Sequence, residues 1–288
     1  MILRLTDDFD PQKIADSGQC FRWTPLPDGG WRILHGGRRL ILREAAPQEF
    51  DLDCGEAEYA AVWRPYLDLD EDYAQIRARI DPEADPFLYA AAEAQRGLRI
   101  LRQNPWEALV SFIISQNRNI PAIRKSIELL CRAAGTPCAD YFAFPSPQAV
   151  AALPDGALSA CKLGYRAPYL RAAAESVLRG ETDLAALRQS PPAEALEALL
   201  RLRGVGVKVA SCVQLFGLHQ LDAFPIDVWM RRVLDSEYPG GYPADRYSPY
   251  NGVYQQYMFA YYRERKNALS SAKKARIDHS SSNAPVYS

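Results

Sequence analysis

The stretch that most constrains the fold is residues 202–206, Leu-Arg-Gly-Val-Gly. Its two glycines predict a tight hairpin turn, because glycine tolerates positive φ and a close approach of neighbouring backbone. Directly after the turn, Val209, Val213 and Phe216 recur at helical spacing, which predicts a helix from about residue 207 to residue 217. A turn that opens a helix presents unbonded backbone N–H groups, so the sequence predicts a phosphate-binding site here.

Two ionisable residues follow the turn. Lys208 lies in the first turn of the predicted helix, and Asp227 follows Phe-Pro-Ile at 224–226 and precedes a second apolar helical run. The hairpin, the proline-containing loop and the aspartate together resemble the helix-hairpin-helix DNA glycosylases of base-excision repair. Lys208 follows the first hairpin glycine by four residues, and a lysine at this position is similar to the one in those members that are also lyases. The resemblance ends at about residue 265.

Lys208 and Asp227 have the chemistry that this reaction class requires. A helix N-terminus disfavours an ammonium group, and a neutral amine is the nucleophile that attacks a sugar C1′ to form a Schiff base, followed by β-elimination. Asp227 fits an ordinary helix N-cap. A carboxylate beside C1′ would also stabilise the positive charge that develops as the base leaves. The sequence therefore predicts that both residues are catalytic.

Residues 18–23, Gly-Gln-Cys-Phe-Arg-Trp, resemble a segment of one branch of that family, the 8-oxoguanine DNA glycosylases. Chemistry on a base requires flipping it out of the helix stack into a pocket. N7 of 8-oxoguanine carries a hydrogen that N7 of guanine lacks, so a selective pocket needs an acceptor there. The resemblance implies that this acceptor is the Gly18 carbonyl.

The other walls of the pocket are also implied by the resemblance. Residues 248–259 resemble the branch's P-Y-x-G-x-x-Q-x-x-x-F helix. Gln255 would bond the Watson–Crick edge of the flipped base, since an amide both donates and accepts. Phe259 would stack on one face of the base, and Cys212, one helical turn after the lysine, would stack on the other.

Two loops are predicted to hold the DNA around the extruded base. The resemblance implies that Asn117, in Ser-Gln-Asn-Arg-Asn at 115–119, fills the gap left by the base. It implies that Tyr165, in Leu-Gly-Tyr-Arg at 163–166, wedges the duplex and that Arg166 bonds the unpaired cytosine. The predicted DNA-binding residues are Asn117, Asn119, Tyr165, Arg166, Gly204, Val205 and Gly206.

Two positions depart from the eukaryotic members of the branch. A second cytosine-reading arginine is replaced by Ala122, and a histidine two residues after the aspartate is replaced by Trp229. The sequence therefore resembles the bacterial members.

The predicted fold class is α+β, mainly α. An N-terminal antiparallel sheet packs on a two-lobed helical body, and the hairpin lies at the mouth of the cleft between the lobes. Strand-like alternation at residues 19–23, 31–34 and 39–43 changes to a helical period after about residue 56. The predicted domains are an N-terminal β domain at 1–97, a helical glycosylase domain at 98–265, and a basic, disordered tail at 266–288.

The composition of the chain limits which partners and cofactors it is expected to have. Six cysteines occur without a CxxC pair, and the net charge of −1 argues mildly against a nucleic-acid protein unless the basic residues share one face. No apolar run is long enough for a membrane span, and no signal peptide is indicated. We expect a cytoplasmic, nucleoid-associated bacterial monomer that acts on double-stranded DNA containing 8-oxoguanine and needs no metal or cofactor.

Two alternatives remain at this point. An endonuclease III-like enzyme for oxidised pyrimidines has the same lysine and aspartate, but such enzymes usually carry an iron–sulfur site and no cysteine follows Cys212 here. A non-catalytic helix-hairpin-helix module would bind DNA through the hairpin alone.

Overall fold

In a computed structural model of the protein, the backbone is described for residues 1–281 and the side chains for residues 1–266. The N-terminal part forms a five-stranded antiparallel sheet with strand order β1-β5-β4-β3-β2. Its strands are β1 Ile2–Arg4, β2 Trp23–Pro25, β3 Trp31–His35, β4 Arg38–Ala46 and β5 Glu49–Leu52. Ile33 lies opposite Leu40 across the β3–β4 hairpin, and both are fully buried. One face of the sheet therefore packs into the core, as predicted.

The segment 19–22 is not a strand, which corrects the sequence-based expectation; only Trp23–Pro25 pair in the sheet. Hydrogen bonds of Gln19 to residues 99–103 hold this segment in place instead. The Gln19 amide donates to the Arg99 carbonyl at 2.8 Å and accepts from the Leu101 N–H at 2.8 Å. Its backbone carbonyl accepts from the side chain of Gln103 at 2.7 Å. The alternating sequence pattern wrongly predicted a strand, because hydrogen bonds to side chains take the place of backbone bonds between strands here.

The rest of the described chain is mainly helical. A π-helical stretch, Tyr59–Trp63, joins α2 to α3, and a 3₁₀ turn, Gly164–Arg166, precedes α10. The helices are α1 Pro11–Asp16, α2 Glu56–Glu58, α3 Arg64–Tyr66, α4 Tyr73–Ala78, α5 Pro86–Ala94, α6 Pro105–Ser115, α7 Ile120–Ala134, α8 Pro147–Ala151, α9 Asp155–Ala160, α10 Ala167–Leu178, α11 Leu184–Leu187, α12 Pro192–Leu200, α13 Val207–Phe216, α14 Val228–Glu237, α15 Ala244–Tyr247 and α16 Asn251–Ser281. The short helices α9, α11 and α15 were not predicted, because fewer than two turns show no period.

Asparagine and aspartate caps explain where many of these helices begin. Asp10, Asp85, Asn104 and Asn119 each accept a hydrogen bond from the third residue after them, and each precedes a helix with proline in its first turn. Proline is favoured there because the first N–H groups of a helix have no partner within it.

The helix packing supports the predicted two-lobed body. In one group, α13 packs on α6 and α12, and α10 packs on α8; in the other, α16 packs on α5, α14 and α15. The loop between α13 and α14 joins the two groups. A cleft of about 890 Å³ lies between the start of α13 and α14.

The last helix is longer than predicted. We expected a tail from residue 266, but α16 continues to Ser281, and residues 282–288 lie outside the described residues. The sequence after residue 266 contains alanine, lysine and arginine without glycine or proline up to residue 281, and these residues favour helix. The domain boundaries themselves stay predictions.

Glu107, in the first turn of α6, predicts a pH dependence of stability. Burial raises the pKa of its carboxyl from 4.5 to about 7, opposed by the charge of Arg22. The unfolded chain releases this proton at lower pH than the folded protein does, so the free energy of unfolding should fall as the pH rises from about 4.5 to 7. Glu107→Gln should therefore be more stable than wild type at pH 8, by about 1–3 kcal/mol. Urea denaturation at pH 5 and pH 8 measures this, and an equal difference at both pH values would contradict it.

Candidate active site

The hairpin turn is held in place by a contact that only glycine permits. Gly204 has a φ of +79°, and a Cβ built on it would lie 2.3 Å from the ring of Tyr169. Gly206 does not have the positive φ that we predicted: its φ is −97°, the extended conformation of a helix N-cap. It caps α13 without a side-chain bond, so backbone N–H groups at the start of the helix lack a side-chain partner.

Lys208 projects from the first turn of α13 into the cleft. Its Nζ lies 5.5 Å from the ring centroid of Phe112 on α6. Phe112 in turn contacts Phe21 of the 18–23 segment, at 5.9 Å between ring centroids. The amine is therefore positioned by an aromatic cluster that also contacts the segment containing Gly18.

Asp227 lines the same cleft from the start of α14. Its Oδ1 accepts from the N–H groups of Trp229 at 2.9 Å and Met230 at 2.8 Å, so it is the N-cap of the helix. Oδ2 has no hydrogen-bond partner within residues 1–266, and no ion pair joins the carboxylate to Lys208. Capping thus fixes the orientation of the carboxylate while one oxygen stays available.

Cys212 is buried one turn after the lysine. Burial raises the pKa of its thiol, the nearby Lys208 lowers that pKa, and the charge of Asp227 raises it. The three side chains are therefore near enough to influence one another electrostatically. The structure therefore brings together the predicted nucleophile, the predicted electrostatic group and one predicted wall of the base pocket.

The cleft contains only part of the predicted site. Its lining includes Asn117, Gly206, Lys208 and Asp227, together with Trp229. Predicted residues that it does not include are Gly18, Asn119, Tyr165, Arg166, Gly204, Val205, Cys212, Gln255 and Phe259.

Gln255 is buried on α16 and bonded within the protein. Its Nε2 donates to the Pro225 carbonyl at 3.0 Å, and its Oε1 accepts from the side chain of Gln256 at 2.9 Å. Pro225 lies in the loop between α13 and α14, two residues before Asp227. Gln255 therefore holds the loop between α13 and α14 against α16, a link that sequence spacing did not predict.

Gly18 and Phe259 lie on either side of Arg263. Gly18 has a φ of +81°, and its carbonyl accepts no hydrogen bond from the part of the chain described. The Arg263 guanidinium stacks on the Phe259 ring at 5.4 Å from its centroid and donates to the Asp16 carbonyl. Its Nη1 lies 4.0 Å from where a Cβ of Gly18 would be. Arg263 therefore lies between the two predicted walls.

Asn117 and Tyr165 form a projecting pair at the rim. Asn117 has a φ of +50°, and its Nδ2 donates to the Tyr165 hydroxyl at 3.3 Å. The Tyr165 side chain is 49% exposed. Asn119 is instead the N-cap of α7, accepting from the Ala122 N–H at 3.0 Å. The exposed pair suits insertion into a duplex, whereas Asn119 has a structural partner.

Arg166, which is predicted to contact DNA, is 5% exposed in this DNA-free structure. Its Nε donates to the Gln116 carbonyl at 3.0 Å, where Nη2 also donates, and its Nη1 donates to the Leu163 carbonyl at 3.2 Å. Gln116 also donates to the Gly204 carbonyl at 3.1 Å, so Arg166 helps to fix the Asn117 loop on the hairpin.

Sequence reasoning missed two side chains: Gln19 and Arg263. Each lies inside or beside a recognised motif, but its role depends on contacts with distant segments. Among the residues that the structure describes, no group of histidine, cysteine, aspartate or glutamate side chains could hold a metal ion. None of the described helices has the length and apolar character needed to cross a membrane.

Comparisons with known proteins agree with this geometry. Residues 1–109 match the family described as 8-oxoguanine DNA glycosylase, N-terminal domain. Residues 110–238 match the HhH-GPD superfamily of base excision DNA repair proteins.

Individual relatives span nearly the whole chain. A probable N-glycosylase/DNA lyase of Methanothermobacter thermautotrophicus is 31% identical over 83% of this chain and 86% of its own. The structure of MBOgg1 with a low-affinity DNA ligand superposes with a TM-score of 0.86 at 35% identity, covering 92% of this chain and 96% of the other. The Clostridium acetobutylicum 8-oxoguanine glycosylase/lyase, bound to double-stranded DNA with cytosine opposite 8-oxoguanine, gives 0.84 at 30% identity, covering 92% and 98%.

Proposed function

Because this chain belongs to the N-glycosylase/DNA lyase family of the HhH-GPD superfamily, we propose that it excises 8-oxoguanine from duplex DNA and cleaves the resulting abasic strand. The observation that carries the proposal is the placement of Lys208 and Asp227 in one cleft, unpaired with each other, at the starts of α13 and α14. The hairpin before α13 would bind a DNA phosphate through its backbone N–H groups.

The proposed reaction uses both residues. The Lys208 amine attacks C1′ as the bond from C1′ to the base N9 breaks, and the departing base takes up a proton. Asp227 stabilises the positive charge that develops on the sugar. The sugar ring then opens to a Schiff base on Lys208, and β-elimination breaks the C3′–O bond, which leaves a cleaved strand.

The base pocket is proposed to form from Gly18, Cys212, Gln255 and Phe259. The free Gly18 carbonyl would accept from N7–H of 8-oxoguanine, which gives selectivity over guanine. Gln255 retains one amide hydrogen and one lone pair beyond its protein bonds, which can serve the Watson–Crick edge. Arg263 has to leave the space beside Phe259 before a base can enter.

A panel of lesion duplexes tests this function against its alternatives. Duplexes containing 8-oxoguanine, thymine glycol or undamaged guanine are incubated with the protein and borohydride, which reduces a Schiff base to a stable adduct. We expect adducts on 8-oxoguanine DNA. Adducts confined to thymine glycol DNA would assign an endonuclease III-like activity, and binding without any adduct would assign a non-catalytic module.

Phe259→Ala should weaken excision of 8-oxoguanine without unfolding the protein. Phe259 is only partly buried, and base–aromatic stacking contributes about 1–3 kcal/mol, so single-turnover excision should slow roughly 5- to 150-fold. Tyr261→Ala is the matched control, because Tyr261 also lies beneath an arginine but packs on Phe87 at 6.0 Å. If Phe259→Ala unfolds, or if the two variants slow excision equally, Phe259 is a core residue and not a pocket wall.

The proposed activity also implies a location and an assembly. The substrate is chromosomal DNA, so the protein would act at the nucleoid in the cytoplasm. One chain supplies Lys208, Asp227 and every proposed pocket residue, so a monomer is sufficient.

A further inference from the structure

Gln256, the neighbour of Gln255 on α16, is a buried amide that the proposed reaction does not use. It is 4% exposed. Its Nε2 donates to Oε1 of Gln255 at 2.9 Å, and Gln255 in turn donates from its own Nε2 to the Pro225 carbonyl at 3.0 Å. The three groups form a chain of hydrogen bonds that runs from α16 to the loop between α13 and α14.

The direction of this chain of hydrogen bonds is determined at one end by the carbonyl. Because a carbonyl can only accept, the Gln255 amide has to turn its nitrogen towards Pro225. The Gln255 oxygen then faces Gln256, which must supply a donor. Turning over either amide would place two acceptors against each other, so one orientation is favoured for both side chains.

The chain of hydrogen bonds ends in an unpaired atom. Oε1 of Gln256 is buried and has no hydrogen-bond partner within residues 1–266, where side chains are described. Buried polar atoms are nearly always paired, and an unpaired one destabilises the fold. Packing alone would therefore favour an apolar side chain at this position. What the amide adds is its hydrogen bond to Gln255.

The orientation of the Gln255 amide decides which base edge it can bind. 8-Oxoguanine presents a carbonyl at C6 beside N1–H, whereas 8-oxoadenine presents an amino group at C6 beside an unprotonated N1. The order of acceptor and donor is therefore opposite in the two bases. An amide held in one orientation pairs with one order and opposes the other, whereas an amide that is free to turn over can pair with both.

We propose that Gln256 is a positioning residue that holds the Gln255 amide in the orientation that binds guanine-type lesions. It donates to the Gln255 oxygen and acts on the base through Gln255, without touching the base itself. This inference rests on the proposed function, because it takes Gln255 as the residue that binds the Watson–Crick edge.

Binding of lesions that resist excision tests this proposal separately from catalysis. The probes are duplexes that contain the 2′-fluoro analogue of 8-oxoguanine or of 8-oxoadenine, each opposite cytosine, and fluorescence anisotropy gives the Kd for each. The fluorine disfavours positive charge on the sugar and so slows excision. Both bases have N7–H and a carbonyl at C8, so they differ only on the six-membered ring, whose edge Gln255 would bind.

Two variants of Gln256 are compared with a matched control. Gln256→Met removes the donor with little change in length, and Gln256→Glu has nearly the same shape but accepts only when it is ionised. The control is Gln214→Met. Gln214 is also 4% exposed and donates from Nε2 to the Pro192 carbonyl at 2.8 Å and to the Gln220 side chain at 2.9 Å, but it does not line the cleft.

We expect wild type and Gln214→Met to bind the 8-oxoguanine duplex more tightly than the 8-oxoadenine duplex. In Gln256→Met the ratio of the two Kd values should fall by roughly 3- to 10-fold, the effect of one hydrogen bond, and in Gln256→Glu it should fall at least as far. The melting temperature of Gln256→Met should stay close to that of wild type, since the variant loses one hydrogen bond but also an unpaired buried oxygen.

An unchanged ratio in the Gln256 variants would overturn the proposal, and so would equal weakening of both duplexes, which would leave Gln256 a packing role alone. If Gln256→Met does not fold, the ratio for Gln256→Glu decides. Wild type that binds both duplexes equally would overturn the binding of the base edge by Gln255 and this inference with it. Wild type that shows the preference but excises no 8-oxoguanine would overturn the proposed function alone.

Discussion

Lys208→Gln should abolish both base release and borohydride trapping while duplex binding is retained. Glutamine has similar reach and keeps hydrogen-bonding capacity, but its amide nitrogen is not nucleophilic. Within residues 1–266 the lysine forms no ion pair, and its Nζ lies over the Phe112 ring, so the substitution should leave the fold intact. Single-turnover excision and trapping on an 8-oxoguanine duplex measure the two losses, and anisotropy measures binding.

Lys125→Gln provides the control for this variant. Lys125 is an exposed lysine on α7 and does not line the cleft. It should trap and excise like wild type. Trapping by Lys208→Gln at the wild-type level would mean that another amine is the nucleophile.

Asp227→Asn should slow excision by about 10²- to 10³-fold, the loss seen when one preorganised electrostatic group is removed. Asparagine is also a good N-cap, and its Oδ1 can still accept from the Trp229 and Met230 N–H groups. The substitution therefore removes the charge beside C1′ but keeps α14 capped. The melting temperature should change little, and duplex binding should remain.

Asp183→Asn separates the charge effect from the capping effect. Asp183 caps α11 with the same geometry, accepting from the Ala185 and Ala186 N–H groups at 3.0 Å each, and it does not line the cleft. Its substitution should alter neither rate nor binding. An unchanged excision rate in Asp227→Asn would reduce Asp227 to a structural cap.

Local sequence signals predicted the parts of the site that depend on neighbouring residues. The glycine turn, the helix that follows it and the cap at Asp227 are each encoded within a few residues, and all three are found in the structure. The predicted conformation of Gly206 was wrong, because a glycine in the sequence does not show which of its allowed backbone conformations the fold uses.

Contacts between distant segments could not be predicted in the same way. The bond from Gln255 to the Pro225 carbonyl, and the stacking of Arg263 between Phe259 and Gly18, depend on how α16 lies against the N-terminal segment. Spacing within one helix shows only which residues share a face.

Arg166 illustrates the same limit. Arg166 lies in a recognised loop motif and was predicted to contact DNA, but three protein bonds to the Gln116 and Leu163 carbonyls engage it. Its burial and its bond to the Gln116 carbonyl depend on the packing of two loops that are distant in the sequence.

Peptide mapping of the borohydride-reduced adduct tests the central claim most directly. Wild-type protein is trapped on an 8-oxoguanine duplex, digested and analysed by mass spectrometry to locate the modified amine. We predict that the sugar remnant is attached to Lys208 alone. Attachment to another lysine would contradict the assignment of Lys208 as the nucleophile. So would attachment to the amino group of Met1, which donates to the Leu52 carbonyl at 2.6 Å and does not line the cleft.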